Sequence, residues 1–353
     1  DLNLDKATEL ESSAEVAGAG ASHFKEAIDL YTGLLAMRDA ETALAGAERG
    51  AVVYQLARAL EGAGRNDESL AMLDRLVAES PTAAHGDEAQ FRRGETWSIR
   101  QNYAGAEQAY AAVLASGPAS PFYEQSLYKY GWALFKQSRY EEGLAAFARL
   151  IDRRLASGEG SPAKSPEQQI EAMSRPEREL LDDTLRVVSI SLSYLDGAES
   201  IPPVLAPWGD PDWTYLFYAA LGDLYLDKER FQDAAESYAA FVDRDPVNVQ
   251  APDLLQAAID AYARGKFPEL VLAAKQEYVA TYGFDAPFWQ GRVAAEHPQL
   301  VAQLKQHLGD LAQHDHALAQ RSKLQADYER AAGWYRLSLA YFPDDPQSAE
   351  RSF

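Results

Sequence analysis

FRRGETWSIRQNYAGAEQAY, residues 91–110, places a glycine inside a segment that otherwise reads as helix. An interior glycine costs about 1 kcal/mol relative to alanine, so Gly94 needs an offsetting gain. LYKYGWALFKQSRYEEGLAAF, residues 127–147, repeats the choice, and in both stretches an aromatic follows the glycine by nine residues. Offsets of nine, twelve, sixteen and twenty-four from Gly94 reach Tyr103, Ala106, Tyr110 and Pro118. From Gly131 the first three reach Tyr140, Gly143 and Phe147, and from Gly222 all four reach Phe231, Ala234, Tyr238 and Pro246. A weaker copy runs from Ala57 through Asn66, Ser69 and Leu73 to Pro81, so positions 57, 94 and 131 stand 37 residues apart.

Such fixed-period similarity is the mark of a repeat architecture. Each unit reads as helix, short turn, helix, with apolar residues at helical spacing in both halves. Two antiparallel helices approach closely only where side chains are small. Gly94 is therefore expected to face Ala106, Gly131 to face Gly143, and Gly222 to face Ala234, with the aromatics beside each contact. Burying one such ring gains about 2 to 3 kcal/mol, more than the glycine costs. One unit cannot cover its own apolar face, so units must stack.

The same reading divides the chain into helical repeats over 1–156, a loop or linker over 157–177, and further helical repeats over 178–353. Residues 1–49 are alanine-rich and helical, with a break at Gly18 and Gly20. The stretch 157–177 carries two Ser-Pro steps, glycines and charges, a loop composition. One helix is expected from 178 to about 195, then a short one cut off by Pro202 and Pro203, and later a long helix from about 299 to 324. Fainter copies lie around Phe24, Ala27 and Tyr31, around Phe267, and around Tyr328, Ala331, Tyr335 and Pro343.

At 353 residues and 47% hydrophobic the chain is long enough for two domains or one long array. Its net charge of −21 argues against a nucleic-acid partner, whose phosphates this surface would repel. It contains no cysteine, which removes disulfides, thiolate zinc sites and cysteine nucleophiles. No apolar run approaches the roughly 18 residues of a membrane-spanning helix. The chain begins at Asp1, and we read it as a processed product or a fragment.

No phosphate loop, nucleophile elbow or HExxH pair occurs. GAGASH (18–23) and EGAGR (61–65) have no preceding strand and read as helix ends or turns, not dinucleotide loops. The best metal candidate is His307, Asp310 and His314, at i, i+3 and i+7 on one helix face, with Asp315 and His316 beside them. The alternative there is an exposed polar face. Neighbouring acids such as Asp182–Asp183 diverge by about 100° on a helix and suit solvent better than concerted acid–base work. The reading is a non-catalytic protein without a cofactor. A metal-dependent enzyme using residues 307–316 is the remote alternative.

The four recurring offsets resemble the tetratricopeptide repeat, over roughly 50–155 and 212–280. That resemblance implies an all-α fold, an α-solenoid of tetratricopeptide-like helix-turn-helix repeats wound into a right-handed superhelix. It further implies a groove lined by the first helix of each unit, at positions three and two before the glycine and one and five after it. Here the groove residues are Tyr54 and Arg58, Phe91 and Arg92, and Tyr128, Lys129, Trp132 and Lys136, an aromatic ladder flanked by cations. Gln55, Glu95 and Ile99 complete those positions. In the second half they become Ala219, Ala220, Asp223 and Asp227, so a single uniform groove is not expected. The units with Phe241 and Leu150 near the end of the second helix resemble bacterial extracytoplasmic members of the family. LDDTLRVVSISLSYLDGAES and the unit after it resemble large proteobacterial members associated with TonB/ExbB-type energy transduction. This implies a periplasmic scaffold of the cell envelope that binds a protein or peptide partner. The alternative is a cytoplasmic regulatory or assembly adaptor of the same fold.

Overall fold

The computed structural model describes residues 24–40, 46–79, 85–155 and 164–343. Among these residues there are sixteen α-helices and no β-strand, and neighbouring helices pack as antiparallel pairs. The all-α array of tetratricopeptide-like helix-turn-helix repeats is therefore observed. The readings placed on residues 1–23 and on Pro81 lie outside the described residues. The chain divides into two compact units, Asp1–Arg154 and Leu155–Phe353.

In the first unit the helices are α1 (Lys25–Ala40), α2 (Gly46–Gly62), α3 (Asn66–Glu79), α4 (Gly86–Ile99), α5 (Tyr103–Ala115) and α6 (Tyr123–Lys136), followed by α7 (Tyr140–Leu155). From α1 to α6 each packs on the next in sequence. A buried cluster joins Tyr31 of α1, Val53, Ala57 and Leu60 of α2, and Leu73 and Leu76 of α3.

The turns explain why the spacing is so constant. Seven residues after each anchor the chain enters the left-handed region, at Gly64 (φ 74°), Gln101 (φ 60°), Ser138 (φ 60°) and Glu229 (φ 56°). The next N–H then bonds back to a carbonyl five residues earlier: Asn102 to Trp97 at 2.9 Å, Arg139 to Leu134 at 3.0 Å and Arg230 to Tyr225 at 2.8 Å. This Schellman closure satisfies orphan carbonyls of the first helix and restarts the chain in the opposite direction. The second helix begins two residues after the left-handed one, at Tyr103, Tyr140 and Phe231. Lys266 (φ 61°) repeats this closure, with the Phe267 N–H on the Tyr262 carbonyl at 3.0 Å, and starts a helix at Pro268. It corrects the register of the copy around Phe267 by one residue. Lys323 (φ 58°) is also left-handed and precedes the helix at Gln325, but there the Lys323 N–H bonds four residues back to Ala319 at 2.8 Å.

The nearest neighbour of each anchor glycine is one of the rings expected beside the small-residue contact. A Cβ on Gly94 would lie 2.4 Å from the Tyr110 ring, on Gly131 2.6 Å from Phe147, and on Gly222 2.3 Å from Tyr238. The residue at offset sixteen thus lies flat on the glycine, and no side chain there is tolerated without displacing it. Gly143 does face Gly131, since its Cβ would stand 3.2 Å from the Gly131 carbonyl oxygen. The offset-nine aromatics Tyr103, Tyr140 and Phe231 are only half-buried. Where the covering ring is a tyrosine, the residue after the glycine is an acid. Tyr110 Oη donates to Glu95, and Tyr238 Oη donates to Asp223 at 2.7 Å. A buried hydroxyl needs such an acceptor. Phe147 has none to satisfy, and Trp132 stands in the acid's place.

The second unit contains α8 (Pro166–Ala172), α9 (Arg175–Ser193), the short α10 (Ile201–Leu205), α11 (Tyr215–Asp227), α12 (Phe231–Arg244), α13 (Ala251–Arg264), α14 (Pro268–Tyr282), α15 (Pro298–Ser322) and α16 (Gln325–Tyr341). Helix α9 packs on α11, and from α11 onward each helix packs on its successor. Two expectations are corrected here. The described part of 157–177 is largely helical, because the Ser165-Pro166 step is an N-cap followed by proline at the first helical position. Gln168 closes the capping box, its side chain accepting from the Ser165 N–H at 3.2 Å. Glu177 caps α9 in the same way, accepting from the Ser174 N–H at 2.8 Å. Pro202 and Pro203 likewise sit in the first turn of α10 and open it, where they were expected to end a helix.

Candidate functional site

Helix α6 turns four residues toward one cavity. Tyr128, Lys129, Trp132 and Lys136 line a hollow of about 300 Å³, closed on the other side by Ser98 of α4 and Tyr103 of α5. These four are the groove positions of the Gly131 unit. The Trp132 ring is half-buried, edge-on to Tyr128 (centroids 6.4 Å apart) and to Phe135 (5.5 Å). Lys136 is exposed and holds its Nζ 5.6 Å from the centre of the Trp132 ring. Lys129 Nζ donates to Glu95 Oε2 at 2.9 Å, and the other carboxylate oxygen accepts from Tyr110. Glu95 therefore links the covering ring of its own unit to a lysine of the next.

The remaining sequence-derived groove residues do not join this cavity. Tyr54 is 2% exposed and stacks on His85 at 4.3 Å, and burial beside Glu88 pushes its hydroxyl pKa above the usual tyrosine value. Phe91 packs against Tyr110 (5.9 Å) and Phe122 (5.4 Å). Arg92 is held by Glu88 at 2.9 Å and Glu61 at 2.7 Å, and Arg58 is half-buried with its charge acting on Glu88. The ladder of Tyr54, Phe91 and Tyr128 is therefore not built, because the first two rings are used for packing between α2, α4 and α5. Ser98 and Tyr103, the opposite wall, were not singled out as site residues from the sequence. Both belong to the preceding repeat, at offsets four and nine from Gly94.

The second unit has a matching hollow of about 330 Å³ between α9 and α11. Its α11 wall includes Ala219, Ala220, Asp223 and Asp227, the same four repeat positions counted from Gly222. One register thus lines two cavities with opposite chemistry.

The metal candidate is dispersed by the fold. His307 is buried, and its Nε2 lies 2.8 Å from Gln256 Oε1. Burial and the Lys275 ammonium pull its pKa down to about 4. Asp310 is paired with Lys275 at 2.5 Å, and His314 Nδ1 sits 3.4 Å from the buried Asp315. No group of three His, Asp or Glu side chains placed to hold a metal occurs among the described residues. The exposed-face alternative is corrected as well, since His307 and Asp315 both lie in the interior.

The family model described as Tetratricopeptide repeat matches residues 54–121, 100–162 and 219–251. No curated protein matches the chain. Among solved structures, the chain is similar to a set of nearly identical tetratricopeptide-like repeats from Podosopora anserina. That match has 14% identity and TM-score 0.39, over 59% of this chain and 96% of the other. It is also similar to the C-terminal part of a tetratricopeptide repeat-containing protein from Cytophaga hutchinsonii (13%, TM-score 0.30, 84% and 98%) and to the apo form of RapI (10%, TM-score 0.33, 97% and 98%).

Proposed function

We propose that this array of tetratricopeptide-like repeats is a non-catalytic scaffold of the cell envelope, whose first unit holds a segment of a partner protein against α6. The observation that carries the reading is the convergence of Tyr128, Trp132, Lys129 and Lys136 on one cavity. Rigid aromatic rings bury area on binding at small entropic cost. Lys136, the exposed cation of the set, orients an acidic group of the partner and raises the association rate. Periplasmic placement belongs to the same proposal and is supported by the resemblance of the repeat pattern to extracytoplasmic members.

Photo-crosslinking from position 136 in the native host tests the binding. A partner captured there, lost in Trp132→Ala and not captured from the exposed position 228, supports the reading. Capture unaffected by Trp132→Ala overturns it. Release of the native protein by osmotic shock tests the compartment, and retention in the cytoplasm would instead assign the chain to the regulatory or assembly adaptors.

A further inference from the structure

We propose that the cavity between α9 and α11 is a second docking groove, and that its occupant is a lysine- or arginine-bearing segment of a partner protein. The floor is apolar and half-buried: Leu185 comes from α9, Leu216 and Leu224 from α11. Ala219 and Ala220 stand where the first unit has Tyr128 and Lys129. Small side chains there leave open the depth that a tyrosine and a lysine occupy in the other cavity. The rim is acidic and solvent-facing, with Asp182 on α9 and Asp223 and Asp227 on α11. Asp223 uses one oxygen to accept from Tyr238, which fixes the carboxylate at the rim. The cation in the lining, Arg186, is engaged by Asp183 at 3.0 Å.

An apolar floor beneath a ring of carboxylates fits a long basic side chain better than any other group. The methylene stem of a lysine or arginine lies along leucine and alanine, and its charged head stays at the wet rim among the aspartates. A bare cation would gain nothing from the floor, and an acidic segment would be repelled by the rim. Because one register lines both cavities, the change from tyrosine, lysine, tryptophan and lysine to alanine, alanine, aspartate and aspartate reverses the chemistry at fixed geometry. This rests on the scaffold reading but concerns the other unit, so Lys136→Glu leaves it intact.

The test uses the full chain and two fluorescein-labelled amphipathic peptides about five helical turns long, identical except that one carries lysines and the other glutamates. The lysine peptide should bind, and Asp182→Lys with Asp227→Lys should weaken it about tenfold or more. Glu171→Lys with Glu296→Lys, the same charge change at exposed positions outside the cavity, should weaken it about threefold at most. Ala220→Leu, which fills the floor without altering charge, should also weaken it. If the charge variant does not fold, this variant decides alone. The glutamate peptide should respond to Lys136→Glu and to none of these. Equal losses in the cavity and control variants would make the attraction diffuse and overturn the proposal. So would lysine-peptide binding indifferent to Ala220→Leu, or none at all. Self-association abolished by the cavity variants would make the occupant a second copy, and would overturn it too.

Discussion

The Tyr238 ring occupies the space that a Cβ on Gly222 would take, with Cε1 only 2.3 Å from that position. The ring has nowhere to go, being buried and tied through its hydroxyl to Asp223. Gly222→Ala should therefore destabilise the protein by about 1 to 3 kcal/mol, the overpacking cost exceeding the helix-propensity gain. Gly333 lies in α16 with nothing within 4 Å of its Cβ position. Gly333→Ala should stabilise by up to about 1 kcal/mol. Urea midpoints of the two variants, read against wild type, should move in opposite directions. A neutral Gly222→Ala would refute the contact.

Stability should fall on acidification partly through His307. Its pKa drops from 6.5 to about 4 on folding, so the unfolded chain takes up the proton first. The contribution is complete above about pH 6.5 and is lost as pH falls toward 4, with a slope approaching about 1.4 kcal/mol per unit. The groups acting on it are Lys275 of α14, which opposes the proton, and Asp310 of α15, which favours it. His307→Gln should flatten the fall between pH 6.5 and 4.5, measured as the difference from wild type. Parallel curves would exclude His307.

Asp315 anchors the last helix pair. It is 4% exposed and accepts from Arg330 Nε at 3.0 Å and Trp334 Nε1 at 2.9 Å, both on α16. Asp315→Ala should cost roughly 2 to 3 kcal/mol, since one of the two lost bonds is to a charged donor. Asp315→Asn keeps an acceptor oxygen and should cost less. Equal losses would mean that the bonds to α16 contribute little.

The α6 residues should separate into packing and charge. Trp132→Ala removes ring contacts to Tyr128 and Phe135 and should lower stability by about 1 to 2 kcal/mol. Lys136→Glu should change stability by less than about 0.5 kcal/mol. Lys129→Glu places a carboxylate against Glu95, where an ammonium now sits at 2.9 Å, and should cost about 0.5 to 1 kcal/mol. Thermal denaturation should rank the losses with Trp132→Ala largest, Lys129→Glu next and Lys136→Glu smallest. A Lys129→Glu as silent as Lys136→Glu would show that the ion pair is fully screened.

The order of helices and turns was legible in the sequence from Gly94, Gly131 and Gly222, because these glycines and their rings recur at offsets fixed by one helix, one Schellman turn and a second helix. Counted from the same glycines, the groove positions that the resemblance implies fall on Tyr128, Lys129, Trp132 and Lys136, which share one cavity, and on Ala219, Ala220, Asp223 and Asp227, which share another. Local chemistry misled only where one signal serves two purposes. Ser165-Pro166 reads as a loop until Gln168 is seen closing a capping box around it.

What the sequence alone determined is therefore the period and the helical class. Each is set by φ/ψ preferences and by residues within about one unit of each other. Tertiary structure decided which repeat positions remain open to a partner. Tyr54 and Trp132 occupy related places in their repeats, yet His85 stacks on the first, while the second stays half-buried at a cavity. His307 carries ordinary metal-ligand spacing, but Gln256 of α13, fifty-one residues away, meets its Nε2 and makes it part of the interior. Contacts between helices so distant in sequence leave no period to read, because burial is decided by whichever neighbour reaches the side chain first.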